Sequence, residues 1–496
     1  MKSKNNNTLK IVSITVISIS LLTKVLSFLR DLMVTAVLGA GSESDAYNIG
    51  YLLTISIFGF IGSAYSNSMM SVASGLFIKD KNSLEKTVNN ILSLSILLAL
   101  FVVFLFWLFP AFFVNILASG VSVETYSLAL KVSKIGIISL LFLVLSSTFG
   151  IVLRIYDRNI VPSIGELLFP IPSLIGLIMG IDSIDILIIL LVIGYMLQAL
   201  IQFIFLKKEH FKFHFYINYR DEYLLKMLSL MPPMLLSTGL LQINTIIDNR
   251  TASGYGSGSI TSLSLASKIN GLAYTVFAAS LMQIIYSSLS KAFAQNNRKE
   301  LQKILTQQTS SIIMLVLPSA ICMMVFNNEI VNLLFVRGNF TEEAGKVTAK
   351  ILMGYSVGLV FSVLRDICNY LFYASQNVKL PAMISGIAVI INIILNLTLP
   401  KLIGIQGVSY ATSIAGACSC VILLFYMKKI MPDITLIYLR DVVSLVVSGI
   451  LMASIMISLK AVYTDDMLFL IIIMGVGIIV FFLCNYFVSY VIKKIG

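Results

Sequence analysis

The sequence predicts an all-α polytopic membrane protein. About fourteen transmembrane helices form two pseudo-symmetric six-helix lobes and a C-terminal helix pair, with the N- and C-termini cytoplasmic. Three observations predict it. Of 496 residues, 58% are hydrophobic and only 12% charged, and the mean hydropathy is +0.95; a soluble domain of this size carries far more charge. Apolar runs of bilayer length recur at 9–39, 45–78, 88–109, 122–153, 159–179, 184–206, 225–252, 258–290, 304–327, 342–375, 380–400, 406–427, 437–461 and 467–491. Between them the cations alternate, twenty-three Lys and Arg falling on the side of the N-terminus and four on the other. That bias places both termini in the cytoplasm.

The net charge of +12 follows from the same bias, and nucleic acid is not an expected partner. The first run begins like a signal peptide, but it is too long, is broken by charges and lacks a small-residue cleavage site, so it reads as a retained span. Five cysteines scattered through apolar spans read as packing residues. His210 and His214 flank an aromatic-basic loop, EHFKFHF, and are too few for a zinc site.

A weak internal repeat supports the lobes. GLFIKDKNSLEK at 75–86 resembles KAFAQNNRKELQK at 291–303, and IYDRNIVPSI at 155–164 resembles YASQNVKLPAMI at 373–384. Both pairs fall in cytoplasmic loops, so each unit holds six spans in one orientation. The expected divisions are an N-lobe over 1–206, a cytoplasmic linker over 207–224, a C-lobe over 225–430 and a pair of spans over 431–496.

Ionisable groups at membrane depth cost several kcal/mol and are usually functional. The first span carries Lys24, Arg30 and Asp31. Lys24 and Asp31, seven residues apart, share a helix face, and Arg30 reaches the same region. Lys131, Lys134, Arg250, Lys268, Lys350 and Arg365 are embedded elsewhere, with the acids Asp45, Glu166, Asp248 and Asp366. Arg365–Asp366 and Asp248–Arg250 are candidates for structural ion pairs. Cations outnumber acids, and an excess of buried positive charge calls for an anionic ligand; phosphate or diphosphate takes charge-assisted bonds from several side chains at once. No phosphate-binding P-loop occurs, and LGAGSES at 38–44 joins two helices rather than following a strand. Thr341, followed by Glu342 and Glu343, is expected to cap a helix.

Three stretches carry a family resemblance: TKVLSFLRDLMVTAVLGAGSESDAY (23–47), SLASKINGLAYTVFAASLMQIIYSSLSKAF (264–293), and NEIVNLLFVRGNFTEEAGKVTAKILMGYSVGL with its continuation YLFYASQNVKLPA (328–382). They resemble the MurJ/MviN lipid II flippases of the MOP superfamily over nearly the whole chain. The resemblance implies a transporter rather than an enzyme, located in the bacterial plasma membrane. It would move an undecaprenyl-diphosphate saccharide from the inner to the outer leaflet by alternating access. It assigns Lys24, Arg30, Asp31 and Lys268 to the diphosphate and matches Asp45 to the acid that opens the second span; with Asp45, the embedded Arg250 and Arg365 are expected to be supporting cavity charges. It also implies a tail groove in the last two spans and, as in some members, a sodium site at Asp248, Asn392, Asn396, Val408 and Thr412. No cofactor is expected; sodium, protons or the membrane potential would drive transport, and the working unit would be a monomer. Three departures stand out. Lys24 and Lys268 occupy positions where the family commonly has Arg, the second span has no cation near Phe58, and Asn396 replaces an acid. An exporter of another polyprenyl-diphosphate oligosaccharide is the alternative reading, ahead of a multidrug antiporter, which would favour an acidic cavity.

Overall fold

The computed structural model describes residues 6–79, 81–461 and 467–495, and every regular element among them is helical. Helix α1 (Asn6–Leu38) leads into α2 (Ser42–Tyr51), a π-helical turn (Leu52–Ile57) and α3 (Phe58–Lys79). Then follow α4 (Lys81–Leu108), α5 (Pro110–Leu117), α6 (Val123–Gly136), α7 (Ser139–Ile155), α8 (Ile160–Leu168), α9 (Ile171–Ile178) and α10 (Ile184–Lys208). After an extended linker come α11 (Glu222–Ala252), α12 (Ser259–Tyr274), a second π-helical turn (Thr275–Ala279), α13 (Ser280–Ala294) and α14 (Arg298–Val325). The chain ends with α15 (Asn327–Phe335), α16 (Glu342–Ala374), α17 (Lys379–Ile403), α18 (Gln406–Ile430), α19 (Leu439–Lys460) and α20 (Met467–Ile495).

Eleven helical stretches among the described residues are long and apolar enough to cross a membrane. The other three expected runs are also helical, but they are not uniform apolar rods. The runs at 45–78 and 258–290 each carry a π-helical turn, and the second half of α11 is polar, with Asn244, Thr245, Asp248, Asn249 and Arg250. Single π turns cluster at functional sites, and these two fall in the second span of each expected repeat.

Helix starts follow local chemistry. The Asp221 carboxylate accepts from Leu224 N at 2.8 Å to open α11, and Asn297 accepts from Glu300 N at 3.0 Å to open α14. Thr341 caps α16 as expected, accepting from Ala344 N at 3.3 Å, with Glu342 and Glu343 in the first turn.

The helices gather into two compact units. The first runs to Thr261 and includes Arg337–Phe340; the second holds Ser262–Val336 and the remainder from Thr341. In the first unit α2 packs on α6, α10 on α7 and α8, and α3 on α7 and α11. Tyr65, Met69, Leu76, Leu84, Leu92 and Phe149 build its core, and the Tyr65 hydroxyl meets the Thr148 hydroxyl at 2.6 Å. The linker after α10 is fastened to α4 by side-chain amides. Asn89 donates to Lys212 O at 2.9 Å and accepts from His214 N, while Asn90 donates to Asn218 O at 2.9 Å and accepts from Asn218 N at 2.8 Å. These amides satisfy backbone groups that regular structure would otherwise pair.

In the second unit α16 and α17 both pack on α18, and α19 pairs with α20. Ser413 donates to Gly354 O at 2.6 Å across the α16–α18 contact, and Ser444 donates to Asn485 O at 3.0 Å across the α19–α20 contact. Small and hydroxyl residues at such seams let apolar helices approach and bond without a hydrophobic drive. Cys322, Cys368 and Cys420 are buried, and all five cysteines are free thiols.

Candidate functional site

The charged stretch of the first span forms one continuous helix. Arg30 is 1% exposed and Asp31 is buried beside it. The Arg30 Nη2 and Nε donate to Asp31 Oδ1 at 2.7 and 3.1 Å. The guanidinium lies over two rings, 5.4 Å from the centroid of Tyr51 at the end of α2 and 5.1 Å from that of Phe169 in the turn between α8 and α9. Phe169 is itself stacked on Tyr195 at 4.3 Å. An aromatic face is attractive to a planar cation, and Arg suits such a cage better than Lys. Phe169 can occupy this place because α10 carries Gly194 there: a Cβ at Gly194 would come within 2.2 Å of Phe169 O.

One group in this cage is unsatisfied. Arg30 Nη1 is buried and has no hydrogen-bond partner among the described residues. A buried guanidinium nitrogen without an acceptor is costly and needs an explanation. Lys24, by contrast, is exposed on α1, about 10 Å up the helix axis from Asp31 at the usual rise per residue.

The end of α1 is finished by a distant turn. Asn339 N donates to Ala36 O at 2.8 Å and Asn339 Nδ2 to Val37 O at 2.6 Å, so two carbonyls that the helix leaves open are paired. Gly338, with φ +57°, lies so close to α1 that a Cβ would come within 2.2 Å of Ala36 O. The VRGNF segment is therefore a cap for the helix that carries Arg30.

Asp45 has a comparable holding role. It is 1% exposed and accepts from Gly258 N at 2.7 Å, from Thr261 N at 2.8 Å and from the Thr261 hydroxyl at 2.7 Å. It thus ties the start of α2 to the start of α12. Arg250 donates to the carbonyls of Asn115 and Ile116 at 3.4 and 3.3 Å.

In the second unit Lys268 is half-buried on α12. The expected pair of Arg365 and Asp366 is formed at 2.9 Å, and the Tyr274 hydroxyl donates to Asp366 Oδ2 at 2.7 Å. This bond fixes the last residue of α12, just before the π-helical turn, to α16. Among the lesser embedded charges, Lys131 pairs with Asp185, and Arg154 with Glu166 at 3.7 Å. Asn396 donates to Asn392 Oδ1 at 2.9 Å, Asn392 donates to Thr412 Oγ1 at 3.2 Å, and Thr412 donates to Val408 O at 3.2 Å. These three side chains form a neutral hydrogen-bonded chain. Asp248, the acid of the expected sodium set, is buried in the first unit. Side-chain oxygens of this kind are the donors a hard cation takes, and its affinity follows ligand charge.

Arg30, Asp31, Asp45, Lys268, Arg365 and Asp366 were all legible as buried or half-buried charges. The residues that surround them were not. Tyr51, Phe169 and Tyr274 look like ordinary aromatics in apolar runs, and the one local signal is the Phe-Pro step at 169–170, which breaks the helix there.

Long apolar helices, an aromatic-caged guanidinium and acids spent on holding helix starts define a polytopic membrane protein built like a secondary transporter. Known proteins agree. The family profile described as lipid II flippase MurJ matches residues 34–477. The chain belongs to that family, and is thereby a multi-pass protein of the bacterial inner membrane and a transporter rather than an enzyme. The probable lipid II flippase MurJ of Thermotoga maritima is 25% identical over 418 residues, 82% of each chain. That of Buchnera aphidicola subsp. Schizaphis graminum is 27% identical over 406 residues, 80% of this chain and 79% of its own. A solved structure of lipid II flippase MurJ in an inward closed conformation superposes with a TM-score of 0.82 at 25% identity, covering 98% of this chain and all of that one. An inward-facing MATE family multidrug transporter of the MOP superfamily gives a TM-score of 0.73 at 14% identity over 85% of this chain and 98% of its own, a likeness of fold alone.

Proposed function

We propose that this protein flips lipid II, an undecaprenyl-diphosphate saccharide, from the inner to the outer leaflet, and that Arg30 is a ligand for its diphosphate. The observation that carries the assignment is the orphaned Arg30 Nη1. Asp31 takes the other side of the guanidinium and the two rings hold its plane, so one edge of a fixed cation is left for an anionic oxygen. Opening of the Tyr51–Phe169 cage admits a phosphate to that edge, and the new charge-assisted bonds replace the aromatic contacts. Lys24 and Lys268 are the further cations assigned to the diphosphate. As lysines they act as point charges rather than forks.

Transport by alternating access is supported by the repeat in the sequence and by the division into two compact units. Moving two negative charges outward through an inside-negative potential is favoured by about 2.3 kcal/mol per charge per 100 mV. The membrane potential is the driving force in this reading, with sodium or proton coupling as an addition.

The test is replacement of the flippase in a depleted strain, read as lipid II accessible at the outer leaflet. The wild-type chain is expected to restore it, and Arg30→Ala to leave lipid II inside while the protein remains in the membrane. If wild type restores no lipid II but exports another polyprenyl-diphosphate saccharide, the substrate assignment is wrong. Full activity of Arg30→Ala would remove Arg30 from the site.

A further inference from the structure

The second unit contains a polar pocket of about 670 Å³ where the beginning of α14 meets the beginning of α19 and the end of α20. Lys299, Lys303 and Arg440 line it, with Gln307, Ser310 and Ser489 among the neutral groups. The acid in the lining, Asp441, is 3.4 Å from Arg440, which leaves two cations in excess. Arg440 also lies over the Tyr438 ring at 5.1 Å, which holds its guanidinium in place. The pocket walls are fixed. Gln302 donates to Thr435 O at 2.9 Å and accepts from Thr435 N at 2.7 Å, which locks the α18–α19 loop to α14. Ser444 and Ser489 hydroxyls meet at 3.0 Å, which locks α19 to α20.

The depth of the pocket in the bilayer follows from the loop charges. Lys291 to Lys303 and Lys428 to Arg440 belong to cytoplasmic segments, so the pocket lies at the inner leaflet's headgroup level. One turn deeper, the same helices become apolar and exposed: Val443, Val446 and Ile450 on α19, and Leu483, Tyr486 and Phe487 on α20. A free anion would use the cations and leave these faces to bulk lipid. A ligand with a phosphate and attached chains uses both at once. Basic pockets between transmembrane helices on the cytoplasmic side have this headgroup chemistry. Neither α19 nor α20 carries a charge along its apolar face, so its neighbour there is lipid, and the inner leaflet supplies anionic lipid in abundance.

We propose that this pocket seats the phosphate of an anionic inner-leaflet glycerophospholipid, whose acyl chains lie along the exposed faces of α19 and α20. The bound lipid bridges α14 to the C-terminal pair, so it stabilises the second unit as well as occupying it.

The experiment uses the full-length protein in nanodiscs of phosphatidylcholine with and without phosphatidylglycerol, and measures lipid retained after detergent extraction by native mass spectrometry. Wild type is expected to retain phosphatidylglycerol over phosphatidylcholine. Lys303→Glu/Arg440→Glu should weaken that retention by more than about thirtyfold, since removing two charges worth about 1 kcal/mol each near an anionic lipid already does so and their reversal adds repulsion. Lys207→Glu/Lys208→Glu, on the first unit, should leave it unchanged. Lys303→Gln/Arg440→Gln serves if the charge-reversed protein is not made, with a smaller loss in the same direction. Equal retention by wild type and both pocket variants overturns the proposal. So does displacement of the retained lipid by millimolar inorganic phosphate, which would make the ligand a free anion, or by a short-chain polyprenyl diphosphate, which would make the pocket a site for the transported lipid.

Discussion

At the scale of single residues, the chain uses its buried charges in two ways. Arg30 is held with one edge unsatisfied, whereas Asp45 has its oxygens filled by Gly258 and Thr261. The two should respond differently to substitution. Asp31→Asn leaves a buried guanidinium without its counter-charge, and loss of one partner of such a pair costs about 3–5 kcal/mol; thermal unfolding of the detergent-purified protein should show a large drop. Asp45→Asn turns an acceptor toward two backbone N–H groups into a donor, with an expected cost of about 1–3 kcal/mol and a matching fall in unfolding temperature. An unchanged midpoint in either variant would contradict the role given to that residue. The sequence makes Arg30 and Asp45 look alike, as charges inside apolar runs. What separates them is the partner set, and Tyr51, Phe169, Gly258 and Thr261 come from elements far apart in the chain.

At the scale of elements, most helices were legible and their interruptions were not. The apolar runs locate the spans, and caps such as Thr341 mark their starts. The π-helical turns after Tyr51 and Tyr274 leave no mark in composition, because a turn wound one residue wider keeps the same side-chain types. The VRGNF segment is likewise conspicuous in the sequence, but its work is visible only in space, as the cap of α1 through Asn339. Asn339→Ala should therefore destabilise the end of α1 by about 1 kcal/mol and raise hydrogen exchange at the last turn of that helix while leaving α16 protected. Gly194→Ala tests a contact rather than a cap. The added methyl displaces Phe169 from Arg30, so flipping should fall although no charge has changed. Wild-type flipping in a folded Gly194→Ala protein would mean that the aromatic cage is dispensable.

At the scale of the whole molecule, the loop charges fix an orientation that labelling can check. In a background where the five native cysteines are alanine, a membrane-impermeant thiol reagent should reach Ser119→Cys from outside the cell. It should reach Gln295→Cys only after permeabilisation. Labelling in the reverse order would invert the topology and move the phospholipid pocket to the wrong leaflet. The repeat offers a reason for the paired interruptions: the two π-helical turns occupy corresponding spans, so each half of the chain contributes one interrupted helix near a cluster of charge, Arg30 with Tyr51 in one case and Arg365–Asp366 with Tyr274 in the other.

The central claim is that the unpaired edge of Arg30 receives a phosphate oxygen of the transported lipid. Equilibrium binding of lipid II to purified wild type, Arg30→Lys and Arg30→Ala protein tests it most directly. Loss of a charge-assisted bond worth about 1.5–3 kcal/mol predicts that Arg30→Ala binds at least about tenfold more weakly, with Arg30→Lys in between because charge remains and the planar edge is lost. Binding of equal strength by all three proteins would contradict the account.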